Sequence, residues 1–161
     1  MANSPTPVSA RAPLFDRLVD YEPRQPTEPQ PRSTLSRGEL HASVRREVER
    51  LLTTRCPIPA SELDDRTRSV VDYGVPDGAL LSPHSQRDHQ RLEQLFSRTI
   101  TAFEPRLRHV RVRLERCVSD HRGLVAHIEA VLVVAPMHES MAFSVVVQDD
   151  LGRTDRHASA G

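Results

Sequence analysis

The sequence predicts an α+β domain, with helices over about 37–55, 62–73 and 83–103 packed on a mainly antiparallel three-stranded sheet over about 107–117, 124–135 and 140–149. Apolar residues recur at helical spacing as far as Phe103, and beyond Arg106 the period falls to two. The three alternating runs are joined by short turn-like pieces, "VSDHRG" and "APMHES", so the simplest sheet is a meander.

Seven of the thirteen prolines lie between Pro5 and Pro31, among Ser, Thr, Gln and charges. Such a composition buries too little apolar surface to offset its ordering entropy, so residues 1–35 read as a flexible arm. Within it, "PLFDRLVDY" sets Leu14, Phe15, Leu18 and Val19 at one-turn spacing, a short docking helix near 14–20. Its stripe can cover the protein's own core or enter a partner's groove, where Phe15 and Leu18 would lead.

Ser36 and Glu39 form an S-x-x-E capping box, and Leu40, Val44, Val48, Leu51 and Leu52 make one stripe that stops before Pro57 and Pro59. The next helix is expected to start from Ser61 and to end near Gly74. "YGVPDGALL" turns the chain, and Ser82-Pro83 opens the longest stripe, Leu92, Leu95, Phe96, Thr99, Ile100 and Phe103. In the first strand Val110, Val112 and Leu114 share one face, opposite His109, Arg111, Arg113 and Glu115. "LVAHIEAVLVV" is apolar enough to be central, and Phe143, Val145 and Val147 line the third strand. A single domain over 36–150 and a polar tail over 151–161 complete the division.

At the switch from helix to strand stand Glu104, Pro105 and Arg106. Proline disfavours helical geometry in the residue before it, so Pro105 ends the helix and sends the chain off extended. Residues two apart then point the same way, and Glu104 can pair with Arg106 or with charges elsewhere. Spacing alone makes this a helix stop with a solvated ion pair, worth under about 1 kcal/mol.

Twenty-two acids balance twenty-two bases, every base is arginine, and no field singles out nucleic acid or an anionic membrane as partner. Cys56 and Cys117 lie far apart, as free thiols of a reducing compartment would, and no apolar run approaches the ~20 residues of a membrane span. The eight histidines form no HExxH or His/Cys cluster, so neither metal nor cofactor is expected. A glycosidase needs two carboxylates across a cleft, one kept neutral in apolar surroundings. Glu104 has an arginine two residues away, and Asp72 and Asp77 have capping roles in a turn, so no enzyme is expected.

Taken together, "LFDRLVD", "SVRREVERLLTTR", "SVVDYGVPD", "AFEPRLRHVRVRL", "LVAHIEAVLV" and "FSVVVQDDLGR" resemble, in the same order from about Leu14 to Arg153, the TssE family of type VI secretion. That family belongs to the lysozyme-related baseplate wedge components of contractile phage tails. Its triplet falls on Glu104, Pro105 and Arg106, while "YEPR" at Tyr21–Arg24 has no strand after it and reads as coincidence. "CPIPASELDD", Cys56–Asp65, matches no family feature. The resemblance implies a non-enzymatic subunit of a cytoplasmic baseplate docked to the inner membrane. It would join TssF and TssG in a wedge beneath the TssB/TssC sheath, with TssK as a further partner. The triplet and the turn residues Asp72, Tyr73, Gly74, Pro76 and Asp77 would bind partners, and a sheet edge would seed the sheath by strand addition. The rival readings are a lysozyme-like glycoside hydrolase and a regulatory adaptor on the same fold.

Overall fold

The computed structural model describes residues 9–18, 24, 34–63, 67–76, 86–116, 123–135 and 137–148 of the 161-residue chain. The elements run β1 (Ser9–Arg11), α1 (Leu14–Leu18), β2 (Thr34–Ser36), α2 (Arg37–Thr53), β3 (Arg55–Cys56), α3 (Ala60–Leu63), a 3-10 turn (Val70–Asp72), β4 (Val75–Pro76), α4 (Gln86–Phe103), β5 (Leu107–Arg116), β6 (Gly123–Val134) and β7 (Met137–Gln148). β5, β6 and β7 form the expected antiparallel meander, with α4 against β5 and α2 against β7. β1 pairs antiparallel with β2, and β3 pairs parallel with β4.

Helix α2 starts at its capping box: the Glu39 carboxylate accepts the Ser36 N–H at 2.9 Å, and Ser36 Oγ faces the Glu39 N–H at 3.4 Å. Two of the four orphan donors of the first turn are thereby satisfied. The stripes of α2 and α4 meet the inner sheet face, where Val44, Val48, Phe96, Ile100, Ile128 and Leu132 are fully enclosed. Each large side chain so buried contributes about 1.5–3 kcal/mol.

The inner face of β5 does not follow plain alternation. Leu107 and Val112 are both buried although they lie five positions apart, an odd step that plain alternation would put on opposite faces. Arg108 stands opposite Val131 and Arg111 opposite Glu129, so β5 spends three steps where β6 spends two, which is a bulge. His109 absorbs the extra residue at φ 54, in the left-handed region that histidine tolerates better than most side chains. The bulge turns Leu107 inward directly after the proline corner.

Several elements differ from the periodicity. No continuous helix spans 62–73: α3 ends at Leu63, residues 67–69 are not helical, and the 3-10 turn follows. The Asp72 carboxylate accepts the Ser69 N–H at 2.8 Å and its hydroxyl at 3.1 Å, local bonds that compete with a helix. Val70 and Val71 are 88% and 72% exposed, so the segment also lacks an apolar stripe to bury. The last strand begins at Met137 rather than about 140, because residues 137–139 pair with Val134, Val133 and Leu132. Helix α2 stops at Thr53, and Thr54 caps it through an N–H donated to the Arg50 carbonyl at 3.0 Å.

Packing reaches into the amino-terminal segment. Ala10 and Ala12 are buried in the core, and Ala10 stands opposite Leu35 in the β1–β2 ribbon. Leu14 and Leu18 of α1 remain 64% and 69% exposed. The expectations for 25–33, Ser82-Pro83, Asp77, the 117–122 turn and the 151–161 tail lie outside the described residues.

Glu139 ties β7 to α2, accepting hydrogen bonds from Arg37 Nη2 at 2.6 Å and from His41 Nε2. The His41 hydrogen bond first, and Arg37 after it, hold the Glu139 carboxyl below the usual carboxylate range. A depressed folded value means that the stabilisation is complete above the unfolded value and is lost as pH falls through the folded one. Denaturant titrations of wild type and Glu139→Gln should therefore differ most from pH 5 upward and converge in acid; a gap that persists unchanged at pH 3 contradicts the tie.

Candidate functional site

The corner between α4 and β5 is built by its own sequence. The Glu104 N–H donates to the Ile100 carbonyl at 2.8 Å as the last helical bond, and the Leu107 N–H returns to the Glu104 carbonyl at 3.0 Å across Pro105. Arg106 then faces the Glu104 carboxylate side-on: Nε to Oε1 at 2.7 Å, Nη2 to Oε2 at 2.6 Å, and the Arg106 N–H to Oε1 at 3.2 Å. This is a bidentate fork, the geometry for which guanidinium is suited. Arg106 Nη1 reaches Ser43 Oγ of α2 at 3.4 Å, and the Arg106 carbonyl accepts the Val133 N–H at 2.8 Å. The Glu104 side chain is 5% exposed and that of Arg106 20%. The pair is thus internal, its carboxylate buried and its guanidinium partly so, and not the solvated pair that spacing suggested. It fastens α4, α2 and β6 at one point, and Pro105 stands exposed at the tip.

Beside this corner a cleft of about 470 Å3 is walled by Glu104, Pro105, Arg106, Phe103, Tyr73, Leu40, Leu51, Glu47, Val133, Val134, Arg11 and Pro13. Two separate stretches of sequence meet here. The Tyr73 ring packs edge-on against Phe103, with centroids 5.3 Å apart. Burial first, and then the nearby Glu47 carboxylate, raise the Tyr73 phenol above its ordinary value, so it stays a neutral hydroxyl.

The other turn residues serve as framework. Asp72, Gly74 and Pro76 are buried, and the first of them closes the 3-10 turn. Gly74 has φ 111, and a Cβ there would lie 2.6 Å from the Thr54 carbonyl oxygen. Tyr73 is the residue this turn presents to the cleft. Of Phe15, the backbone is placed within α1. Arg11 and Pro13 are cleft residues that the sequence did not single out; they arrive because β1 anchors on β2.

The sheet offers two unlike edges. On β5, α4 supplies side chains to the outer backbone groups: Ser97 Oγ donates to the Val110 carbonyl at 2.9 Å, and Glu93 accepts the Leu114 N–H at 2.9 Å. Because Leu114 points outward, its β6 partner Ala126 points toward β7, and Val145 points back at Ala126. Alternation then directs the N–H and C=O groups of Ser140, Ala142, Ser144 and Val146 away from the sheet. Among the described residues no strand pairs with that edge.

The family model described as baseplate wedge protein gp25 matches residues 38–137, which include both the cleft corner and most of the sheet. No curated protein matches the chain. Among solved structures, a chain from "The baseplate complex from the type VI secretion system" is similar at 18% identity and a TM-score of 0.48, covering 69% of this chain and 96% of that one.

Proposed function

The chain belongs to the baseplate wedge protein gp25 family, and from that membership we propose that it is the TssE-type subunit of a type VI secretion baseplate. In this reading it works in the cytoplasm, where the apparatus docks to the inner membrane. It joins TssF and TssG in a wedge, with TssK as a further contact, and seeds the first ring of the TssB/TssC sheath. The observation that carries the seeding role is the outer edge of β7, a twelve-residue strand with which no other strand pairs on that side among the described residues, opposite a β5 edge that α4 caps. Unpaired edges are avoided in proteins that stay alone, since they template pairing with another chain. The cleft at the Glu104–Arg106 corner, with Tyr73, Phe103 and exposed Pro105, is the candidate seat for TssF or TssG, and α1 with Phe15 and Leu18 is a second.

A proline on the outer edge separates strand addition from folding. At Ala142 it removes a donor that faces outward, so the β6–β7 ladder keeps its hydrogen bonds. Ala142→Pro should leave the circular dichroism spectrum and co-purification with TssF and TssG unchanged, while fluorescent TssB foci disappear from cells. Normal sheath assembly in that variant sinks the seeding role.

A further inference from the structure

We propose that the groove between α4 and β5 is a separate docking surface for an acidic, extended peptide segment that carries carboxylates at alternate positions. The groove measures about 540 Å3 and runs between Gln90, Glu93, Gln94 and Ser97 on the helix and residues 110–113 on the strand. Arg111 and Arg113 sit on its rim, both exposed, and among the described residues neither side chain forms a hydrogen bond or ion pair. Glu129 stands opposite Arg111 in register without pairing to it, and His127, opposite Arg113, is bonded to Glu115 and Ser144 instead. The carboxylate inside the groove, Glu93, is engaged by the Leu114 N–H. The groove lining therefore carries three arginines, Arg98, Arg111 and Arg113, against the one carboxylate of Glu93, a positive surface in a chain whose formal net charge is zero.

The spacing specifies the ligand. Two arginines at positions i and i+2 of a strand lie about 6.6 Å apart along it, the repeat of alternate side chains on another extended chain. Between the two backbone groups that α4 caps, the N–H and C=O of Val112 face the same edge into the groove. One residue's donor and acceptor are too few for a long added strand but enough to set the register of a short one. Backbone recognition together with alternate charge favours a peptide over a polyphosphate chain. The surface is distinct from the β7 edge and from the Glu104–Arg106 cleft, and does not depend on the baseplate reading.

The test is fluorescence polarisation with the full-length protein and a fluorescein-labelled peptide of alternating threonine and glutamate. Saturable binding that weakens as salt rises is expected. Arg111→Glu with Arg113→Glu should weaken it at least about tenfold, and Arg111→Gln with Arg113→Gln should do so in the same direction, both pairs being solvent-exposed. A peptide of equal composition with its glutamates in one block should bind more weakly. Absence of saturable binding, equal affinity of both double variants and wild type, equal binding of the block peptide or of a lysine-for-glutamate peptide, or displacement by a short oligothymidylate at lower concentration than by unlabelled peptide would each overturn the proposal.

Discussion

Glu104→Ala and Arg106→Ala are each expected to cost about 3–5 kcal/mol of folding stability, the range for removing one partner of a buried ion pair. The two should not be equal. Arg106→Ala strands a carboxylate that is 5% exposed, whereas Glu104→Ala strands a guanidinium that is 20% exposed and retains a hydroxyl neighbour in Ser43. Urea titration should therefore rank Arg106→Ala as the worse variant. Replacing both charges by apolar side chains of similar volume, Glu104→Leu with Arg106→Met, should recover much of the loss, because a buried pair contributes little net against a well-packed apolar substitute. Exchanging the charges should not recover it. Position 104 sits at the helix end under cover, where a guanidinium on a longer stem does not fit, and a carboxylate at 106 is too short to return the fork. Losses below about 1 kcal/mol in both single variants would restore the solvated-pair reading. Assembly in cells then separates fold from recognition: the Leu/Met variant keeps the corner's shape and removes its charge, so lost sheath assembly in a stable protein assigns the charge to a partner.

Much of the fold was legible because period carries it. The stripe from Leu92 to Phe103 and the alternation from Val110 to Leu114 are each long enough to fix an element and its inner face. The bulge was visible only as a conflict: Leu107 is apolar and out of phase with Val110, Val112 and Leu114, and a single extra residue resolves it. The broken 62–73 segment failed for the opposite reason. Its acids and hydroxyls can cap a helix start or close a turn, and only the Ser69–Asp72 bonds decide which. The tie of Glu139 in β7 to Arg37 and His41, about a hundred residues away, is likewise a contact that no local pattern announces. The same limit applies to the cleft. The triplet and the Tyr73 turn were each visible as motifs, but their meeting through Phe103, and the arrival of Arg11 and Pro13, are tertiary facts.

Gly74→Ala should destabilise the domain by roughly 3 kcal/mol, an outsized effect for one methyl group. Two penalties add. At φ 111 the backbone lies where L side chains are strained, which costs on the order of 1–3 kcal/mol. The new Cβ would also stand 2.6 Å from the Thr54 carbonyl oxygen and 2.9 Å from its carbon, both backbone atoms. That carbonyl cannot retreat cheaply, because it accepts the Val75 N–H at 2.8 Å, while the Thr54 N–H and hydroxyl are both bonded to the Arg50 carbonyl, at 3.0 and 2.7 Å. Relief must come from the turn, which carries Tyr73 away from Phe103 and loosens the cleft at its far wall. Gly38→Ala is the control: its Cβ would meet nothing within 4 Å, and inside α2 the change should stabilise by roughly 0.5–1 kcal/mol. Thermal melts of the two variants should move in opposite directions. A neutral Gly74→Ala would show that Tyr73 is not held by this close approach, and the coupling of the turn to the Glu104–Arg106 corner would fall with it.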